Sequence, residues 1–139
     1  MDEQERSIVD VLEQAAERLS SLLDDAEVGC LYRFGDSLRH LAHAGRLPLI
    51  YEVPRAQGGV AWRAAEQVET QLVSDVRADP DYLASDESVI AEIAAPIVVR
   101  GTVVGVVDVE FPGRVFDEGE VEVVESEARR LGAELAPYA

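Results

Sequence analysis

Apolar positions recur at spacings of three and four near both ends of the chain and crowd into unbroken runs between them. Over residues 3–24, Ile8, Leu12, Ala15, Leu19 and Leu22 or Leu23 share one stripe, which predicts an amphipathic helix. Over 117–136, Val121, Val124, Ala128, Leu131 and Leu135 repeat the pattern, with Asp117 placed to cap the first turn. Glu92 to Phe111 holds two Val- and Ile-rich runs, Ile93–Val99 and Thr102–Val107, broken by Arg100-Gly101. This predicts a β-hairpin. Neither run alternates with polar residues, so both of its faces should be covered.

Val28–Phe34 and Ser37–His43 predict a second strand pair turning at Gly35-Asp36. Pro48 and Pro54 break up residues 45–57, leaving room for one short strand in Pro48–Val53. Gly58-Gly59 leads into a helical stretch ending near Glu66, and Thr70–Ser74 reads as a short strand. Residues 75–86 form an acidic loop around Pro80 that lacks the glycine-turn pattern of a calcium loop. The order predicts one α+β domain over 1–139: an antiparallel sheet with the N- and C-terminal helices on one face. A roof of loops and a short helix from residues 45–90 should cover the other, a natural place for a small-molecule cavity.

Charge narrows the partners. The formal charge is −16, which disfavours nucleic acid and anionic membranes. All 12 basic residues are arginine, and the chain has neither Lys nor Asn, so motifs that need either are excluded. An acidic N-terminus without a basic and apolar leader, and no apolar run of membrane-spanning length, predict a cytoplasmic protein. The one cysteine, Cys30, lies in an apolar strand where a buried small hydrophobe is expected. No metal site or cofactor is expected. Strict alternation puts His40 and His43 on opposite faces of their strand, poor geometry for a joint metal site.

Glu92 and Asp108 bracket the apolar hairpin. A carboxylate in such a run must be paired, hydrogen-bonded or facing a ligand. Arg33 is a possible ion partner; an ammonium or guanidinium ligand is the functional alternative. A two-residue turn pairs Val99 with Thr102 and hence Glu92 with Val109, which sends Asp108 to the opposite face. A one-residue bulge or a longer turn brings the two acids together, and Pro96 is a plausible bulge marker. Trp62, Tyr82 and Tyr51 are the aromatic walls on offer, with Tyr51 expected in the core.

The residues Gly59-Val60-Ala61, Asp75-Val76, Asp79-Pro80-Asp81-Tyr82, Glu92-Ile93, Pro96-Ile97, Gly105-Val106-Val107-Asp108 and Phe116-Asp117-Glu118 together resemble a GAF domain over residues 58–136. Within that superfamily, Tyr82 to Pro96 is most similar to the free methionine-(R)-sulfoxide reductases. That resemblance implies ligand-binding acids at Glu92 and Asp108. It also implies catalytic thiols where this chain has Ala61 and Ser85. A thiol route needs a nucleophilic and a resolving cysteine, so a reductase-like pocket without its redox apparatus is expected.

The cyclic-nucleotide motif of phosphodiesterase-type GAF domains needs Asn and Lys and cannot be complete here. Bilin attachment needs a pocket cysteine, and haem needs an axial histidine, for which His40 and His43 are the candidates. The resemblance therefore implies a sensory or regulatory domain that recognises a small polar metabolite through Glu92, Asp108, Trp62, Tyr82, Ser85 and Asp86, acting as a homodimer through its terminal helices. The alternatives are a free methionine-(R)-sulfoxide reductase-like enzyme and a ligand-free dimerisation module.

Overall fold

The N-terminal stripe forms helix α1 (Glu3–Leu22) in the computed structural model, which describes residues 1–139. Asp2 caps it by accepting from the Glu5 backbone N–H. Ile8, Leu12, Ala15 and Leu19 are buried, and the ambiguity at its end resolves to Leu23, with Leu22 left 64% exposed. The chain continues through β1 (Glu27–Phe34), β2 (Ser37–Ala44), β3 (Glu52–Pro54), helix α2 (Val60–Gln67), β4 (Gln71–Val73), β5 (Val89–Val99), β6 (Thr102–Pro112) and helix α3 (Glu118–Leu135). The α3 start is a full capping box, Asp117 and Glu120 each accepting the other's backbone N–H.

The six strands form one antiparallel sheet in the order β3-β2-β1-β6-β5-β4. The hairpin β5–β6 lies inside it, which explains why its sequence does not alternate. On one face Val28, Cys30, Ile93, Ile97, Val107, Val109 and Phe111 pack under α1 and α3. On the other Leu31, Leu38, Ala94 and Val106 pack under α2 and the segments that flank it. The α+β expectation, helices on one face and roof on the other, holds.

Two of the three irregularities in strand pairing set which side chains meet at the roof. In β5–β6 the Arg100-Gly101 turn is the expected two-residue one, pairing Val99 with Thr102 and Val98 with Val103. Ile97 then pairs with Gly105, so Val104 is an extra residue on β6. Beyond this bulge Glu92 pairs with Glu110 and Ala94 with Asp108. The bulge that the two-acid cleft needs is present, but on β6. Pro96 does not mark it; Pro96 pairs regularly with Val106. Gly105 is required there, since a Cβ would collide with the Leu31 carbonyl.

The second irregularity lies in β1–β2, where Cys30 pairs with Ala42 but Leu31 with His40. Leu41 is extra, and the phase changes between the two histidines. His40 and His43 therefore share the roof face, against the alternation argument.

Candidate functional site

β5 and β6 present three carboxyls to the roof. Glu92 is 4% exposed, and Glu110 stands opposite it with Asp108 one step along the same face. They form one wall of a narrow cleft, together with Leu31, His40, Leu49, Ile50, Val53, Gly58, Gly59, Val60, Ala61, Leu83 and Ser85. No arginine lines it. Arg33, the alternative partner for Asp108, instead donates to the Gly35 carbonyl and lies over the Trp62 ring.

The three acids differ in their partners. Glu110 accepts from the Ser85 hydroxyl at 2.7 Å and the Tyr82 hydroxyl at 3.2 Å. Burial first and the charge of Asp108 second push its pKa up to about 7, against the two hydroxyl donors that lower it. Burial, followed by Asp108 as like charge and hydrogen-bond partner, raises Glu92 well above the ordinary carboxylate range. Asp108 has a buried Oδ1 with no hydrogen-bond partner. Burial, together with the Glu110 charge, also raises the Tyr82 phenol and keeps it a donor.

His40 supplies a neutral wall. Its Nδ1 lies 2.6 Å from the Ile50 carbonyl, so this nitrogen carries the proton. Burial lowers its pKa, while Asp108 pulls it upward. Its Nε2 lies over Gly29, where a Cβ would come within 2.6 Å. His43 sits 3.6 Å from Glu27, whose carboxylate accepts from the Arg46 and Leu47 N–H groups. No group of three or more His, Cys, Asp or Glu side chains is arranged to hold a metal ion.

Arg63 on α2 secures the roof. It donates to both carboxylate oxygens of Asp79, to Asp81 and to Gln71. Its hydrogen bond holds Asp79 below the ordinary carboxylate range. The segment leading to Tyr82 and Ser85 is thereby tied to the helix that carries Ala61.

Of the residues singled out from sequence, Glu92, Asp108 and Ser85 line the cleft, and Tyr82 joins them through Glu110. Trp62 does not line it. Its ring is buried in the roof core, where Nε1–H donates to the Val53 carbonyl at 2.7 Å. Asp86 turns away, accepting the backbone N–H and hydroxyl of Ser88. Tyr51, expected in the core, is 58% exposed. Sequence reasoning missed Glu110 because the apolar run ends at Val107 with Asp108 as its closing acid; its signal was the alternation Asp108-Val109-Glu110. Cys30 is buried on the helix face, across the sheet from the cleft, and burial pushes its thiol up to about 12.

A family model described as a GAF domain matches residues 5–135. Protein YtsP of Bacillus subtilis (strain 168) is 33% identical over 91 residues, 65% of this chain and 55% of that protein. This chain thus matches about half the length of that relative. The type II free methionine-R-sulfoxide reductase of Thermoplasma acidophilum superposes with a TM-score of 0.85 at 20% identity, covering 99% of this chain and 97% of that one. The free methionine-R-sulfoxide reductase of Neisseria meningitidis, solved with its substrate, gives 0.83 at 25% identity, covering 94% and 78%. No helix is long and apolar enough to cross a membrane.

Proposed function

We propose that this chain, which belongs to the GAF domain family, is a sensory or regulatory domain that binds a small ammonium-bearing metabolite without redox chemistry. One observation carries this reading: Glu92, Asp108 and Glu110 converge on a cleft that no arginine lines. An ammonium has three donors to offer and supplies the missing positive charge. Leu31, Val53, Val60 and Leu83 suit a short apolar chain beyond it. A carboxylate on the same ligand would find the uncapped start of α2, where Gly59 offers no side-chain partner to the first N–H groups. Free amino acids combine these features.

The chemistry at hand supports binding rather than reduction. Ala61 and Ser85 line the cleft, neither can attack a sulfoxide as a thiolate, and Cys30 is buried behind the sheet. Occupancy would order the roof, and a route outward exists: the Thr70 hydroxyl, just before β4, donates to Glu125 on α3 at 2.8 Å. The domain works as a homodimer through α1 and α3, where exposed Leu22 and half-buried Val123 flank a groove.

A thermal-shift screen of free amino acids, amines, nucleotides and small anions tests the binding. Stabilisation confined to ammonium-bearing compounds, and lost in Asp108→Asn, supports the reading. No stabilisation by any compound would favour a ligand-free dimerisation module. Turnover of free methionine-(R)-sulfoxide with dithiothreitol would overturn the non-catalytic assignment.

A further inference from the structure

We propose that the ligand-free cleft stores a proton between Glu92 and Asp108 and releases it to solvent when a cation binds, so that occupancy depends on pH as well as on ligand. The inference rests on the ammonium reading above and adds its regulation.

Strand register brings the two acids together. Glu92 pairs with Glu110 and Ala94 with Asp108, so Glu92 and Asp108 are diagonal neighbours on one face of adjacent strands. Carboxyls so placed can touch. Glu92 is 4% exposed, and Asp108 keeps a buried oxygen with no partner. Two ionised carboxylates, one buried and one half-buried, repel strongly without a cation between them. One proton between them turns repulsion into a hydrogen bond, the carboxyl O–H of one donating to the other. The orphaned Oδ1 of Asp108 is the acceptor such a bond requires.

The surrounding groups offer no other source of positive charge. From β6 comes Glu110, which has its own donors in Tyr82 and Ser85. From β2 comes His40, its Nδ1–H given to Ile50, with His43 beside Glu27 of β1. From the roof comes Asp79, already matched by Arg63. Glu110 and Asp79 both add negative potential at Glu92, which strengthens its hold on the proton.

The exchange balances simply. The protonated pair and a ligand ammonium go to an ionised pair bridged by that ammonium, and one proton passes to water. No bond to carbon forms or breaks. Apparent affinity should fall about tenfold for each pH unit below the apparent pKa of the pair and level off above it.

The test is a carboxyl 13C NMR titration of the full chain, alone and then with butylammonium, using butanol as the uncharged control. Expected are one proton shared by Glu92 and Asp108 at neutral pH, its loss as butylammonium binds, and affinity that rises with pH. Glu92→Gln should release no proton as butylammonium binds. Ordinary titration of both carboxyls in the wild-type chain overturns proton storage and leaves the ammonium reading standing. Storage without any response to butylammonium, or with a pH-independent response, overturns the exchange.

Discussion

Glu92 on β5 faces Glu110 on β6, a pairing one residue out of step with the two-residue turn that joins their strands. Val104 makes the difference. Were Val104 paired in regular succession rather than bulged out, Glu92 would face Val109, and Asp108 and Glu110 would enter the apolar layer beneath α1 and α3. An unpaired buried carboxylate costs several kcal/mol, against a total stability of about 5–15 kcal/mol, which excludes that register. Deleting Val104 removes the extra residue and leaves Val98 with Val103, Ile97 with Gly105 and Glu92 with Glu110. The variant is expected to fold cooperatively and to lose no more than one half-buried valine is worth, as judged by circular dichroism and urea denaturation. A variant that does not fold cooperatively would show that the bulge itself is needed to hold the two strands together.

The acids also make stability depend on pH. The folded chain raises Glu110 from 4.5 to about 7 and Glu92 in the same direction. For a raised carboxyl, the folded state binds its proton more tightly than the unfolded state. The stability this gives is complete below about pH 4.5 and is lost as pH rises, for Glu110 over the window from 4.5 to about 7. Glu92→Gln removes one ionisation. Its denaturation midpoint should exceed the wild-type one at about pH 8 and converge on it toward pH 4, each tenfold difference in proton affinity amounting to about 1.4 kcal/mol. A variant less stable than wild type at the higher pH would contradict the buried, unpaired carboxyl.

The terminal helices, the strand order's main hairpins and the two-layer cover were legible because their periodicity or apolar density is itself the physical cause of the fold. The two bulges were not. Val103-Val104-Gly105-Val106 and Leu41-Ala42 carry no polar residue to fix the phase, so an extra residue leaves no mark in the pattern. That silence reversed the expected faces of His40 and His43 and hid the role of Glu110. Asp108 stood out because a carboxylate inside a valine run needs a reason, whatever the register. Trp62 went astray for a different cause: a large ring in the roof can face the cleft or the core, and only the position of the Val53 carbonyl decides.

Cys30 provides a separate check on the chemistry. It is fully buried beneath the helices, with its thiol held up to about 12 by burial. Native protein should not react with Ellman's reagent at neutral pH on the timescale of minutes, and one thiol should appear in denaturant. Rapid reaction in the folded state would place the thiol within reach of solvent and reopen a redox role.

Arg63 ties Asp79 and Asp81 to α2. Arg63→Ala leaves the largely buried Asp79 carboxylate without its cation and should cost about 1–3 kcal/mol. The loss should be local. Hydrogen exchange is expected to quicken across residues 76–88, which carry Tyr82 and Ser85, while amides of β1 and β6 keep their order of protection. Uniform loosening of the whole sheet would mean that the clamp serves global folding rather than the roof.

Leu22 is the residue on which the dimer reading turns. It is 64% exposed at the end of α1, beside a groove lined by Leu19 and Val123, with the Arg18–Glu127 pair also in its lining. Arg18 reaches Glu127 at 2.8 Å and ties α1 to α3, so the two helices present one surface. A second copy covering that surface would remove Leu22 from water, worth about 1.5–3 kcal/mol for each fully buried leucine. Leu22→Glu should leave the monomer fold unchanged, because the side chain points outward, and should shift sedimentation from dimer toward monomer. A wild-type chain that sediments as a monomer at high concentration would overturn the reading, as would a Leu22→Glu chain that remains wholly dimeric.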